Sequence, residues 1–96
     1  MRMMLKASMD TEKGNDAIRN GTLGKLMQET LEQIKPEAAY FTAENGKRTA
    51  FLFFDLKDPS DIPSISEPLF LNLGAELTYT PVMNGAEVET GLGKIR

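Results

Sequence analysis

The segment 38-AAYFTAENGKRTAFLFFDL-56 decides the fold of this chain. At its centre stands Asn45-Gly46, the dipeptide that most readily takes positive φ at both central positions of a type I′ turn, so the segment predicts a β-hairpin. A two-residue loop also fixes the register, because the numbers of paired residues then have a constant sum. Tyr40, for example, is expected opposite Phe51.

Both faces of the predicted hairpin are apolar. One face carries Ala38, Tyr40, Phe51 and Phe53. The other carries Ala39, Phe41, Ala43, Ala50, Leu52, Phe54 and Leu56. Leaving three or four large apolar side chains in water would forgo about 5 to 10 kcal/mol, at about 1.5 to 3 kcal/mol for each. We therefore expect both faces to be covered, and the pattern leaves open which of them meets the helices.

Two further strands are predicted from alternating apolar residues. Residues 2–9 alternate in this way, and so do residues 75–80. Pro81 has no N–H to donate to a neighbouring strand, so the last strand is expected at an edge of the sheet.

Helical spacing of apolar residues predicts two helical segments before the hairpin. The first is expected to begin with Asn15 or Asp16 as its cap and to end near Asn20. The second is expected from Thr22 to Lys35. A break separates them because two glycines within four residues cost about 2 kcal/mol relative to alanines.

Two helical segments are also predicted after the hairpin. One covers residues 62–73 and ends at Gly74, and Pro68 is expected to kink it or to leave its first turns as a 3₁₀ helix. The other is a short helix that starts near Asn84 and is expected to depend on packing. Its apolar side would carry Val88, Leu92 and Ile95.

The order strand, helix, strand, strand, helix, strand fits a split βαβ arrangement. We therefore predict one α+β domain over residues 1–96. It would be ferredoxin-like, with a four-stranded antiparallel sheet, the first and third strands central, two helices on one face and a short C-terminal helix. Two helices cover only one face of such a sheet. A second copy of the chain is the expected cover for the other face, since two-fold dimers are the commonest oligomers.

The composition argues against several classes of function. A net charge of −3 and eleven scattered Lys and Arg residues give no reason to expect nucleic-acid binding. The chain has no His and no Cys, so we expect no metal, no haem and no other cofactor. No segment has the length and apolarity of a membrane span, and the apolar start is too short for a signal peptide, so a cytoplasmic location is predicted.

The element order, together with segments 38–50, 67–70 (EPLF) and 81–83 (PVM), resembles the dimeric α+β barrel superfamily, in particular a group of small bacterial proteins of that type. The resemblance implies two sheets packed face to face in a homodimer, with a pocket between sheet and helices in each subunit. Members include cofactor-free monooxygenases, haem-degrading enzymes, dehydratases, lactone isomerases and proteins without known activity, so the fold selects no reaction. Haem degraders and many of the small monooxygenases use His or Trp near the substrate. This chain has neither, which disfavours haem degradation.

Five polar residues are candidates for ligand binding: Arg48, Tyr40, Asp55, Lys6 and Tyr79. Arg48 can hold a carboxylate or phosphate bidentately, or it can form an ordinary ion pair at the end of the hairpin. Lys6 interrupts an apolar strand and is expected to reach the sheet edge, to pair with Asp55 or to bind a ligand. The tyrosine hydroxyls can orient a ligand, or the rings can be structural.

The sequence therefore predicts a small homodimer that binds a small apolar or anionic metabolite, since no catalytic constellation is visible. The alternative is a cofactor-independent oxygenase or isomerase acting on a small organic substrate. In that case Tyr40, Arg48 and Asp55 would orient the substrate and move a proton.

Overall fold

The computed structural model, which describes residues 1–96, contains one four-stranded antiparallel sheet and four α-helices. The strands are β1 (Arg2–Ser8), β2 (Ala38–Glu44), β3 (Lys47–Asp55) and β4 (Glu76–Pro81). The helices are α1 (Thr11–Arg19), α2 (Thr22–Ile34), α3 (Ile62–Leu73) and α4 (Gly85–Leu92), with a 3₁₀ turn at Pro59–Asp61. The α+β class and the four-stranded antiparallel sheet are confirmed. The helix count differs from two sheet-covering helices and one C-terminal helix, because the first segment is divided into α1 and α2.

The hairpin has the predicted turn and register. Asn45 and Gly46 have φ values of 53° and 75°, both positive as a type I′ turn requires. Tyr40 pairs with Phe51, and Glu44 with Lys47, so every side chain of the hairpin lies on its predicted face.

The sheet has the strand order β2-β3-β1-β4. The first and third strands are central, as predicted, and β4 is an edge strand that pairs only with β1. Each neighbouring pair is antiparallel. Pro81 lies at the end of β4 opposite Met3, where its missing N–H is tolerated.

The helices cover the face of the sheet that carries Leu52 and Phe54. These two residues and Leu5 are fully buried, and their cluster includes Ile34 of α2 and Ile65 of α3. A second buried cluster joins α1, α2 and α3. It contains Met9, Ala17, Leu26, Leu69, Leu73 and Ala75.

We call the opposite face of the sheet the outer face. It carries Met4, Lys6, Tyr40, Phe51 and Phe53, and neither buried cluster includes a residue from it. Tyr40 is the only large apolar residue of this face that is exposed, whereas Met4, Phe51 and Phe53 are half-buried.

Helix α1 begins earlier than the sequence predicted. Its cap is Asp10, whose carboxylate accepts a hydrogen bond from the N–H of Lys13 at 3.0 Å. Asn15 and Asp16, the predicted caps, lie inside the helix. Gly14 obscured the helical pattern; it stands where a Cβ would come too close to Met9 and Arg48.

The break between α1 and α2 lies where the glycines predicted it. Gly21 has a φ of 80°, a conformation that is readily available only to glycine. The side-chain oxygen of Asn20 accepts hydrogen bonds from the N–H and the hydroxyl of Thr22, which begins the new helix. At the other end, α2 stops one residue before Lys35, which takes a left-handed conformation ahead of Pro36.

Helix α3 runs through Pro68 without an assigned interruption. The 3₁₀ turn lies before α3, so the proline does not convert the first turns of α3 itself. Gly74 ends the helix with a φ of 54°, as predicted.

Helix α4 extends away from the rest of the molecule. None of its residues is buried, and the chain measures 55 × 28 × 18 Å. Its radius of gyration is 15.2 Å, against about 12 to 13 Å for a compact chain of this length. The prediction that packing holds this helix is wrong for the single chain. A capping box between Asn84 and Glu87 forms its first turn instead.

Candidate functional site

A cleft of about 510 Å³ lies between the hairpin and the α1–α2 pair. It exists because the helices leave part of β2 uncovered: Phe41 points to the helical side of the sheet, yet it is 56% exposed. The break at Gly21 lies at the opposite wall. The lining residues are Met9, Ala17, Ile18, Gly21, Leu23, Gly24, Met27, Phe41, Thr42, Arg48, Thr49 and Ala50. The volume is within the range of about 300 to 1,000 Å³ that small-molecule sites occupy.

Arg48 is the only charged residue that lines this cleft. It is half-buried on β3, opposite Ala43 and on the helical face of the sheet, where the register predicted it. Its Nη2 donates to the side-chain oxygen of Asn15 at 2.9 Å. Its Nη1 lies 3.5 Å from the carbonyl oxygen of Thr11, a long and therefore weak contact.

No carboxylate neutralises Arg48. The ion pairs of the structure involve Met1, Arg2, Lys6, Arg19 and Lys47 as cations. The expectation of an acid partner at the end of the hairpin is therefore not realised in the single chain. A partly buried cation beside apolar walls, with only neutral acceptors, is a favourable position for an anionic group of a ligand.

The walls of the cleft are apolar and partly solvent-exposed. Ile18 of α1 is 51% exposed, and Phe41 contributes an aromatic side chain from the opposite wall. Leu23 and Met27 are half-buried along α2. Burial of such side chains by a ligand contributes about 25 cal/mol for each Å² removed from water. The cleft can thus hold an apolar body while Arg48 holds an anionic end.

Lys6 is not part of this cleft. Its ammonium lies 2.6 Å from a carboxylate oxygen of Glu44 and 5.9 Å from the centre of the Phe51 ring, on the outer face. The predicted pairing with Asp55 is wrong, because Lys6 and Asp55 are not opposite one another. Asp55 pairs in register with Arg2.

Asp55 lies at the opposite end of β3 from Arg48, roughly 24 Å away at about 3.4 Å per residue. Its carboxylate is exposed and accepts a hydrogen bond from the amino group of Met1 at 2.7 Å. This contact lowers the pKa of Asp55 below its usual value. Asp55 therefore cannot act on a ligand that Arg48 binds.

The two tyrosines lie on opposite faces of the sheet. Tyr40 is on the outer face, 64% exposed, and its ring meets the edge of Phe53 at a centroid distance of 6.5 Å. Tyr79 is on the helical face, where its hydroxyl and that of Ser66 are 2.6 Å apart. Burial raises the pKa of Tyr79, and the hydrogen bond with Ser66 opposes that rise. Neither tyrosine lines the cleft.

The structure therefore places one of the five candidate residues, Arg48, in the cleft and separates the other four from it. Sequence reasoning missed Gly14 and Asn15 as neighbours of Arg48. A Cβ at Gly14 would lie 2.7 Å from Sδ of Met9 and 2.9 Å from Nη1 of Arg48, so only glycine allows this approach without a shift. A glycine inside an otherwise helical pattern was the available signal.

A second cleft, of about 490 Å³, lies at the other end of β3 and is lined by charged side chains of both signs, Lys35, Asp55, Lys57 and Asp61, so it lacks the apolar walls and the single cation of the cleft beside Arg48. No group of three or more His, Cys, Asp or Glu side chains is placed to hold a metal ion. Among the helices, none has the length and apolarity required to span a membrane. Comparison with protein-family models, with curated proteins and with solved structures gives no significant match to the chain.

Proposed function

We propose that this chain is a homodimeric binding protein for a small apolar molecule that carries an anionic group, with the cleft beside Arg48 as its site. The observation that carries the proposal is the unneutralised guanidinium at the edge of an apolar cleft of about 510 Å³. The strand order and the single helical layer support a ferredoxin-like fold of the dimeric α+β barrel type.

The ligand that this geometry favours is a monocarboxylate with an aromatic or aliphatic body. A guanidinium can donate two parallel hydrogen bonds to a carboxylate, and such charge-assisted pairs are about twice as strong as neutral ones. The ligand's carboxylate would replace the neutral oxygen of Asn15 as the acceptor of the hydrogen bond from Nη2. Its apolar body would then lie against Ile18, Met27 and Phe41.

The dimer in this proposal forms through the outer faces of two sheets. Tyr40 is exposed there, and Met4, Phe51 and Phe53 continue the apolar surface towards the centre of the sheet. The cleft lies on the other side of the sheet, so each subunit would keep its own site.

Calorimetric titration with matched ligands tests the binding site. A series of aryl and alkyl carboxylates is compared with the corresponding primary amides, which keep the apolar body and lose the charge. We expect the carboxylates to bind at least tenfold more tightly than the amides. Arg48→Gln should remove that preference. Arg19→Gln, which changes an exposed arginine of α1 outside the cleft, should leave it intact.

Equal affinities for carboxylates and amides, or an unchanged preference in Arg48→Gln, would show that Arg48 does not select the ligand. Thermal melting of both variants provides the control for folding. A large loss of stability in Arg48→Gln without a change in selectivity would make Arg48 a structural residue.

The alternative function, a cofactor-independent oxygenase or isomerase, has less support. Its predicted residues were Tyr40, Arg48 and Asp55, and only Arg48 is in the cleft. Tyr40 is on the other face of the sheet, and Asp55 is at the far end of β3. The binding function requires only the residues that the cleft brings together.

A further inference from the structure

Helix α4 and the residues next to it carry large apolar side chains that the single chain leaves exposed. Val88 is 41% exposed, Leu92 61% and Ile95 74%, and Met83 at the root of the helix is 66% exposed. An isolated helix of this length is not stable in water, because the few hydrogen bonds of a short helix do not offset the cost of nucleation. The helix therefore needs a surface to pack on.

The direction in which α4 leaves the molecule is fixed by specific contacts. The N–H of Val82 donates to the carbonyl of Arg2 at 3.2 Å, so the chain continues along the sheet beyond Pro81. The Arg2 guanidinium then binds both Glu37 and Glu87, where Glu87 belongs to the first turn of α4. Arg2 and Lys6 occupy alternate positions of β1, so Arg2 is on the outer face. The helix thus starts beside the outer face.

The outer face by itself exposes little apolar side-chain surface. A standard interface buries about 800 Å² on each partner, and Tyr40, at 64%, is the only exposed large apolar residue of this face. Lys6, Glu44, Lys47 and Glu76 occupy the hairpin end of the same face with ion pairs. Four exposed apolar residues at or near α4 would supply area that the sheet lacks.

The strand order and the direction of the two-fold axis together determine where α4 would meet a second copy, and the arrangement that we consider has its axis parallel to the strands. When two outer faces pack about a two-fold axis parallel to the strands, each edge strand lies opposite the other edge strand of the partner. The β4 edge, from which α4 extends, then faces the β2 edge of the second copy. Rotation about this axis keeps the direction of every strand. The end of β4 from which α4 extends therefore passes the β2 edge of the second copy near Tyr40. The most exposed apolar residue of the outer face and the unpartnered helix are brought together by this symmetry.

We propose that α4 is an intersubunit arm, which packs Val88 and Leu92 on the outer face of a second copy of this chain beside Tyr40. The inference rests on the homodimer of the proposed function and adds a contact that the sheets alone would not make. In this arrangement each subunit holds the other, and Arg2 sets the angle at which the arm leaves.

Cross-linking tests the contact directly, because the chain has no cysteine of its own. Tyr40→Cys and Leu92→Cys are made as separate variants, co-expressed, and treated with a short bismaleimide. We expect a cross-linked species that contains one chain of each variant, identified by its intact mass. Glu67→Cys, on an exposed position of α3, replaces Tyr40→Cys as the matched control and should give no such species.

The double variant with both cysteines on one chain distinguishes the opposite case. A cross-link inside a single chain, with no cross-link between chains, would show that α4 folds back on its own sheet and would overturn the inference. A dimer in native mass spectrometry that gives no Tyr40–Leu92 product would overturn it as well.

The dimer dissociation constant provides a second measurement. Leu92→Glu should raise it at least tenfold in analytical ultracentrifugation, whereas Leu71→Glu, at a residue of α3 that is 75% exposed, should leave it within twofold. An unchanged constant in Leu92→Glu would overturn the arm and leave the dimer standing. A wild-type chain that remains monomeric at high concentration would overturn the dimer itself, and calorimetry of the Arg48 cleft would be unaffected.

Discussion

Gly14 of α1 lies so close to Arg48 of β3 that a Cβ on the glycine would come within 2.9 Å of Nη1. The same Cβ would lie 2.7 Å from Sδ of Met9. We predict that Gly14→Ala moves the guanidinium out of its contact with Asn15 and weakens carboxylate binding. Both close atoms are at the far ends of flexible side chains, which can shift at low cost, and the methyl group adds about 1 kcal/mol of helix propensity. The free energy of unfolding should thus change by less than about 1 kcal/mol.

Gly24→Ala is the matched control for that substitution. It also adds a methyl group to a helix, and a Cβ there has no neighbour within 4 Å. We expect it to raise the free energy of unfolding by about 0.5 to 1 kcal/mol in urea denaturation. Because Gly24 lines the cleft, Gly24→Ala is a control for stability and not for affinity. If Gly14→Ala shifted stability as Gly24→Ala does and left carboxylate affinity intact, Gly14 would have no role in positioning Arg48.

A second prediction concerns the hydroxyl pair of Tyr79 and Ser66. Tyr79→Phe should lower the free energy of unfolding by about 1 to 2 kcal/mol, because the buried Ser66 would lose its only side-chain partner. Burial raises the pKa of Tyr79 in the folded chain, so folding favours the neutral phenol. The stability from this effect is complete below the unfolded value of about 10 and is lost as pH rises through the folded pKa.

Urea midpoints from about pH 8 to about pH 11 measure that loss. The wild-type midpoint should fall more steeply than that of Tyr79→Phe, because lysine deprotonation is common to both proteins. Tyr40→Phe, which changes the exposed tyrosine, should follow the wild type. Identical slopes in all three proteins would contradict the assignment to Tyr79.

The hairpin and its register could be predicted because they depend on local chemistry. Asn45-Gly46 determines the turn, and the turn determines every cross-strand pair. The break at Gly21 was predictable for the same reason, since a φ of 80° favours glycine.

The position of Gly14 inside α1 and the surface that would cover α4 could not be predicted, because neither depends on the local sequence alone. Gly14 weakens the helical pattern, and its closeness to Met9 and Arg48 explains why a glycine stands there. Asp55 was the predicted acid partner of Lys6, whereas the observed partner is Glu44 on β2, which is separated from β1 by β3. For α4, the pattern of Val88 and Leu92 marks an apolar side without naming the surface that covers it.

A third prediction concerns the ion pair between Lys6 and Glu44. Both side chains are about one-third exposed and the charged atoms are 2.6 Å apart. A double-mutant cycle with Lys6→Met and Glu44→Gln should give a coupling free energy of about 0.5 to 1 kcal/mol. Lys6→Met alone should cost little, because a methionine fills a central strand position without a desolvated charge.

The pair Lys47–Glu76, at 3.6 Å and more exposed, is the control and should give a coupling near zero. Equal coupling in both cycles would contradict the importance of the shorter distance.

A fourth prediction concerns the pH dependence of α4. The N–H of Asn84 donates to the carboxylate of Glu87, and together with the Arg2 guanidinium this hydrogen bond lowers the Glu87 pKa. The contribution of this group is therefore present above the unfolded value of about 4.3 and is lost as pH falls through the lower folded pKa. The other titratable groups near this junction are Glu37, which also binds Arg2, the N-terminal ammonium and Asp55. We expect amide hydrogen exchange at Val88 to accelerate between about pH 6 and about pH 3 relative to the intrinsic rate.

Glu87→Gln keeps an acceptor for the capping box and has no titrating proton, so its protection at Val88 should vary much less over that range. The same loss of protection in Glu87→Gln and in wild type would show that another group, with Glu37 the nearest, controls the attachment of the helix.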